Sequence, residues 1–318
     1  MPNLFYPHLK SFRMSYSTQN LFRGCPRKGE FRKFHISPEE EEDDNIAGPV
    51  GTAIHAGYQE YLKSGDDVRA DFEMMMHYPF GKNADENHDR SVYAAHATLQ
   101  ALIGAPILAN FEIAKINVGK EERAAIEVPF VFEIENFSLS DEESIPVTYV
   151  GKIDAVLFNR ETQEFGVVDI KTHRRNLKDL SGLYIYDDQC IPYALVLEKL
   201  LGKELTSLEV KYASCFVDLT NPSITLYPFL KGPKEIEDWG RSLVFQLQQL
   251  KMFYNIGWFP RNPGHCMSYN RKCQFLDICH ERDPLVVRKI LLQGQENFEP
   301  KPDHFKEPWV TMKLDLGL

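Results

Sequence analysis

Two neighbouring apolar segments, each interrupted near its centre by a charge, constrain this 318-residue chain more than any other feature. The first is VGKIDAVLF (150–158), which sets Asp154 between apolar neighbours. The second is FGVVDIKTH (165–173), which carries Asp169 and Lys171 two apart. Both are rich in Val, Ile and Phe and read as strands. The residues Asn159 to Gln163 form a natural turn between them, which predicts adjacent antiparallel strands. A period of two then sends Asp169 and Lys171 to one face. Isolated charges inside an apolar strand are costly unless paired or metal-bound. The plainer alternative is a structural Asp–Lys pair, with Asp154 capping a turn.

Two carboxylates from neighbouring strands can hold Mg²⁺ or Mn²⁺ through oxygen ligands. Lys171 beside them can position or activate water and offset charge on a transferring phosphorane. Glycosidic hydrolysis fits poorly, because there two acids face each other and no lysine is required. Three further features accompany the set. In GTAIHAGYQEYL, His55 lies four residues after Gly51 at the opening of a helix, where it can join a metal site, steer a phosphate, or serve only as a core or surface histidine. Glu127, in IEVPF, is an acid inside the preceding apolar strand and can orient a metal-bound water. In YDDQCIPYALVLEKL, Gln189 and Tyr193 are four apart and share a face if the segment is helical. They can brace a lysine or a strand of DNA; a packed tyrosine is the blander account.

Around these residues the pattern is that of a soluble α/β protein. SYSTQNLFRGCPRKGEFRKF reads as a polar cap and a short helix that Pro26 interrupts or restarts. An acidic loop follows at 37–49. A helical region runs from Gly51 to about residue 113, broken near Gly65 and again at HYPFGKNADENHD. Strands are expected at 124–134, 148–158 and 165–171, a helix at about 183–201, strands at 207–218 and in ITLYPF, and a long helix at 233–256. The organisation is a basic segment with its acidic loop (1–49), a helical region (50–113), a core (114–258), a cysteine segment (259–283) and a tail (284–318). No stretch reaches eighteen apolar residues, which argues against a membrane span, and the opening residues lack a signal-like apolar core. An intracellular, cytoplasmic protein is the expectation.

The formal net charge of −10 argues against a polyanionic partner until its distribution is considered. Residues 39–44, EEEEDD, carry six of the negatives. Between residues 10 and 35, Lys10, Arg13, Arg23, Arg27, Lys28, Arg32 and Lys33 face the single acid Glu30. A second basic cluster, Lys171, His173, Arg174, Arg175 and Lys178, follows the acidic–lysine set. Both clusters suit a phosphate-rich ligand, or are solvated faces that bind nothing.

The six cysteines also divide. Cys190 and Cys215 read as buried thiols, whereas Cys25, Cys266, Cys273 and Cys279 can furnish four thiolates, for tetrahedral zinc or a [4Fe–4S] cluster alike. The C-terminal three can also form a zinc site completed by His265 or His280. Disulfides do not suit an intracellular compartment.

In this order the motifs resemble the PD-(D/E)XK nuclease superfamily, specifically its RecB-like branch with an iron–sulfur cluster, whose relatives include the AddB nuclease domain and CRISPR-associated exonucleases. The matching residues are Gly51 to His55 in GTAIH, Glu127 in EVPF, Asp154 in VGKIDAV, Asp169–Ile170–Lys171, Gln189 to Tyr193, and the four cysteines. The resemblance implies a restriction-endonuclease-like mixed sheet core flanked by helices, with an N-terminal helical region and a cysteine-bound metal staple. It implies Mg²⁺- or Mn²⁺-dependent hydrolysis of DNA, with metal at His55, Asp154, Asp169 and Ile170. Lys171, Glu127, Gln189 and Tyr193 join Asp154 and Asp169 in the chemistry. It shifts the cysteines toward a [4Fe–4S] cluster, with structural Zn²⁺ as the alternative. The expected substrates are single-stranded DNA or duplex ends, in recombination, repair or phage metabolism beside a helicase or recombinase. A catalytically inactive DNA-binding or assembly module on the same fold is the competing expectation. One departure is the six-residue gap between Cys266 and Cys273, where many members have a shorter one.

Overall fold

The structure is a computed structural model that describes residues 9–35, 47–80, 91–173, 180–268, 271–281, 286–287, 289–290 and 307–318. The acidic run at 39–44 and the basic residues Arg174, Arg175 and Lys178 lie outside them. In chain order the elements are β1 (Phe12–Met14), α1 (Tyr16–Gly24), α2 (Pro26–Glu30), α3 (Ala47–Ser64), α4 (Asp67–His77), α5 (Val92–Gly104), β2 (Glu112–Ile113), β3 (Lys115–Val118), β4 (Glu121–Ala124), β5 (Ile126–Ser138), β6 (Pro146–Asn159) and β7 (Glu164–His173). They continue with α6 (Ser181–Ile185), α7 (Tyr193–Leu201), β8 (Leu208–Phe216), β9 (Ser223–Lys231), α8 (Pro233–Ile256), β10 (Met267–Ser268), β11 (Arg271–Lys272), α9 (Leu276–His280) and β12 (Val310–Leu314). This is a mixed α/β fold with a helical region ahead of a central sheet.

Two units share the chain: Met1–Glu41 with Phe130–Gly151 and Gly240–Leu318, and Glu42–Pro129 with Lys152–Trp239. In the second, β6 and β7 pair antiparallel, as the turn at Asn159 predicts; Asn159 Oδ1 accepts from the Glu161 and Thr162 amides. Strand β8 runs parallel to β7, and β9 returns antiparallel to β8. Alternation decides the faces. Ala155, Leu157, Val168, Ile170, Ala213 and Cys215 join one core cluster with Ala53, Ile54, Tyr58, Ala94 and Leu99 of α3 and α5. Asp169 and Lys171, offset by one, therefore face away from that core.

Local chemistry sets the helix limits. The Ser15 hydroxyl accepts from the Thr18 amide at the start of α1, Asp66 caps α4, and Ser91 caps α5. Pro26 restarts the chain as the first residue of α2, where its missing N–H costs nothing. In the first unit β1 pairs parallel with β6 at Val147–Tyr149, and β12 pairs parallel with β5 at Phe130–Ile134. The tail thus contributes a strand, in which Val310, Met312 and Leu314 alternate with Thr311 and Lys313. No helix among the described residues is long and apolar enough to cross a membrane.

Two expectations need correction. Helix α3 begins at Ala47, so His55 lies in its third turn and not at its opening. The helix expected over 183–201 is two helices separated by turns at 187–192. Pro192 has no N–H to donate to a carbonyl one turn back, and residues 189–192 form turns, so Gln189 lies outside the helix that Tyr193 begins.

Candidate active site

The centre forms in the second unit where the β6–β7 ladder ends. Its last backbone-paired partners are Ala155 and Val168. Past that pair, the Ile170 amide donates to Asp154 Oδ2 at 2.9 Å. A side-chain carboxylate thus replaces a main-chain acceptor, and both acids sit just past the point where β6 and β7 stop pairing. Asp169 is 1% exposed, and Lys171 Nζ lies 2.6 Å from its Oδ2. The carboxamide of Gln189 spans both charges: Oε1 accepts from Lys171 at 2.6 Å, and Nε2 donates to Asp169 Oδ1 at 3.0 Å. Despite the broken helix, Gln189 Nε2 also stands 3.4 Å from the Tyr193 hydroxyl, which donates to the Lys152 carbonyl at 3.1 Å.

Burial dominates the electrostatics. It raises the Asp169 pKa to about 7, against the pull of Lys171 and with the push of Asp154. For Lys171 burial opposes the charge, but Asp169 outweighs it and holds the ammonium above the ordinary lysine range. His55 Nδ1 lies 3.7 Å from Asp154 Oδ2, and its ring is hydrogen-bonded to the main chain of Ile170. Burial lowers the His55 pKa, Asp154 counteracts it, and Lys171 reinforces it, so the neutral imidazole, the form that can ligate a cation, is favoured.

The approach of α3 to β7 explains Gly51. A Cβ there would stand 2.5 Å from Thr172 Oγ1, so the helix can lie this close to the strand only without a side chain. Glu127 is placed differently from the rest. Its carboxylate is engaged by Gln59 and by Lys152, its backbone adopts φ 55°, and no described hydrogen bond or ion pair links it to Asp154, Asp169 or Lys171. It reaches the centre only through Lys152, whose carbonyl takes the Tyr193 hydroxyl.

Several partners were not singled out from sequence. Tyr184 stacks on Tyr212 at 4.7 Å and donates to Ser214 Oγ, which lies 2.6 Å from His173 Nε2. Ser214 is in turn the cross-strand partner of Lys171. Gln59 and Lys152 around Glu127 were also missed. Lys152 alone left a signal, as a second charge two before Asp154 in the same strand.

Among the described residues no three His, Cys, Asp or Glu side chains stand together as a ready-made metal site. Asp169 is engaged by Lys171 and Gln189 instead. Even so, the donor types fit a hard divalent cation: carboxylates on adjoining strands, an imidazole, and the Ile170 main chain between them.

In the first unit, Cys25, Cys266, Cys273 and Cys279 all line one small cavity, together with Arg27, Arg261 and His265. None of the four is in a disulfide, and among the described residues their side chains do not stand together as a ready-made metal site, so the expected cysteine-bound staple is not evident. Burial raises the Cys279 pKa, Arg261 and Arg27 lower it, and Cys25 and Cys266 add to the rise. The chain segments meet without help from sulfur. Asn262 Nδ2 donates to the Gly24 carbonyl at 2.7 Å, the Arg27 amide donates to the Pro260 carbonyl at 3.1 Å, and Phe31 packs on Phe275 at 5.5 Å. Cys190 and Cys215 are buried, as expected.

Among solved structures, a candidate exonuclease from Eubacterium rectale is 13% identical, with 88% of this chain and 98% of that one covered at a TM-score of 0.42. Another, SSO0001, is 15% identical, with 73% of this chain and 84% of that one covered at a TM-score of 0.29. No curated protein matches the chain. The family comparison covers most of the chain: residues 13–280, from β1 to the end of α9, match the PD-(D/E)XK nuclease superfamily. Asp154, Asp169 and Lys171 all fall inside that match, and the chain belongs to this superfamily.

Proposed function

We propose that the chain is a metal-dependent deoxyribonuclease that hydrolyses phosphodiester bonds, as an exonuclease on single-stranded DNA or duplex ends. Its setting would be cytoplasmic recombination, repair or phage DNA metabolism, beside a helicase or recombinase. The observation that carries this reading is the placement of Asp154, Asp169 and Lys171 at the end of one strand ladder, with a single carboxamide across two of them. A pure binding surface gains nothing from carboxylates gathered where phosphate must approach.

Asp154, Asp169, His55 and the Ile170 main chain would hold Mg²⁺ or Mn²⁺, which supplies Lewis-acid polarisation of the phosphate and a more acidic water. Lys171 is held above the ordinary lysine range by Asp169, so it remains an ammonium at neutral pH. In that form it is a donor and not a base: it positions water and stabilises charge that develops on the phosphoryl oxygens. Gln189 fixes the direction of that ammonium, and Tyr193 fixes the turn behind Gln189. Glu127 would act at one remove, through Lys152.

The four cysteines are assigned a [4Fe–4S] cluster; structural Zn²⁺ is the alternative ion for the same donors. Support comes from the chemistry of the cavity wall, four thiols with Arg27 and Arg261 beside them to offset thiolate charge.

The deciding experiment uses end-labelled single- and double-stranded DNA, linear and circular, with Mg²⁺ or Mn²⁺. Cleavage of linear DNA from its ends, abolished by Lys171→Ala while the fold persists, is expected. No cleavage of any form with either cation would overturn the reading.

A further inference from the structure

Lys231 closes β9 and is only 3% exposed, an unusual place for an ammonium. It donates to two main-chain carbonyls, Ile185 O at 2.8 Å and Asp187 O at 3.3 Å. Ile185 is the last residue of α6, where carbonyls lack intrahelical partners. Packing alone would be served better by an apolar side chain of the same length, because a buried charge is costly. The lysine therefore has a task in holding the segment that those carbonyls belong to.

The start of that segment is open to solvent. Leu183, Ile185 and Tyr186 are exposed, Tyr186 by 85%. Tyr184 turns inward onto Tyr212 and Ser214 and anchors the helix. Beyond it, the chain is pinned by Lys231 up to Asp187. Asp187 Oδ1 then accepts from the Gln189 amide at 2.8 Å. Gln189 in turn must present an oxygen to Lys171 and a nitrogen to Asp169 together, which tolerates little movement of its backbone.

We infer that Lys231 is a positioning residue for the acidic–lysine centre, acting through the 185–189 segment to set the Gln189 carboxamide. This rests on the nuclease reading for its kinetic consequence, though not for its structural one. Gln189 is the group that meets the reacting residues; Lys231 meets none of them.

The test compares Lys231→Met, Gln189→Ala and the double variant in the full-length protein, by steady-state cleavage of labelled linear DNA. Lys231→Met should lower kcat on the order of tenfold to a hundredfold with KM unchanged. It should cause less than about a twofold further loss once Gln189 is alanine, because both act through one group. Wild-type kcat in Lys231→Met, or losses that multiply in the double variant, would overturn the inference. If Lys231→Met does not fold, Asp187→Ala breaks the same chain of contacts at a half-buried position. It should also lower kcat at constant KM, and wild-type kcat there counts equally against the inference. If the wild-type protein cuts no DNA, the nuclease reading fails on its own, and hydrogen exchange decides this one. Faster exchange confined to 185–193 in Lys231→Met supports it; unchanged exchange there, or a rise across the whole chain, overturns it.

Discussion

Lys171 Nζ lies 2.6 Å from Asp169 Oδ2, and one carboxamide, that of Gln189, bonds to both side chains. The pair is unequal in exposure: Asp169 is sealed, whereas the Lys171 side chain keeps 29% of its surface open. A sealed acid and a half-open ammonium leave the positive group as the one that incoming phosphate can meet. Replacement of Lys171 by Met should lower cleavage about a hundredfold or more while DNA binding, read by fluorescence anisotropy, changes little.

The raised pKa of Asp169 gives a pH signature in chelator. Burial lifts it from 3.8 to about 7, so the folded protein holds this proton more tightly than the unfolded chain does. The stability this contributes is fully present below about 3.8 and is lost as pH rises through about 7. Wild type should therefore lose ground to Asp169→Asn as pH climbs across that window, measured by urea unfolding. A constant difference between the two would contradict a buried, proton-retaining acid. Mg²⁺ or Mn²⁺ should recover the loss in wild type alone, because only the ionised carboxylate binds the cation.

Gly51→Ala places a methyl group 2.5 Å from Thr172 Oγ1. Overpacking costs about 1–3 kcal/mol, partly offset by a gain of about 1 kcal/mol in helix propensity. Removal of the obstacle should reverse the balance: Gly51→Ala with Thr172→Ala should be more stable than Thr172→Ala alone. Thermal unfolding of the four proteins in this cycle gives the comparison.

Glu127 holds φ 55°, a left-handed backbone that costs a side-chain-bearing residue about 1–2 kcal/mol. Both Glu127→Ala and Glu127→Gly lose the contacts to Gln59 and Lys152, but only glycine relieves the backbone. Glycine should be the more stable of the two by about 1 kcal/mol in urea unfolding; equal stabilities would place no strain at this position.

For the cysteines, protein purified without oxygen should carry iron and a visible absorption that Cys266→Ala abolishes. Stoichiometric zinc in a colourless protein would favour the alternative ion. In either case Cys266→Ala should speed proteolysis of the terminal segments, because a metal link would no longer add to contacts such as Asn262–Gly24, Arg27–Pro260 and Phe31–Phe275.

The strands were legible because alternation is a local signal. The Asn159 turn set β6 beside β7, and the antiparallel ladder follows it. The long helix α8 spans 233–256, as its periodicity indicates. The 183–201 helix was misread because a favourable apolar period on either side hid the effect of Pro192. Strand β12 did carry a local signal, because Val310, Met312 and Leu314 alternate with Thr311 and Lys313; what the sequence could not give is its partner, β5.

By itself the sequence determined that charges must interrupt two adjacent strands, that Asp169 and Lys171 share a face, and that four thiols lie near the chain's two ends. Each of these follows from neighbours along the chain and the period of a strand. Only the tertiary structure decided what those groups touch. Asp154 takes the Ile170 amide where the ladder stops, Gln189 reaches both charges from a turn and not a helix, and Glu127 is drawn off to Gln59 and Lys152. The reason is physical. A side-chain contact such as Gln59–Glu127, between residues 68 positions apart, depends on register, on the close approach that Gly51 permits, and on how a turn is pinned, none of which is a property of local spacing.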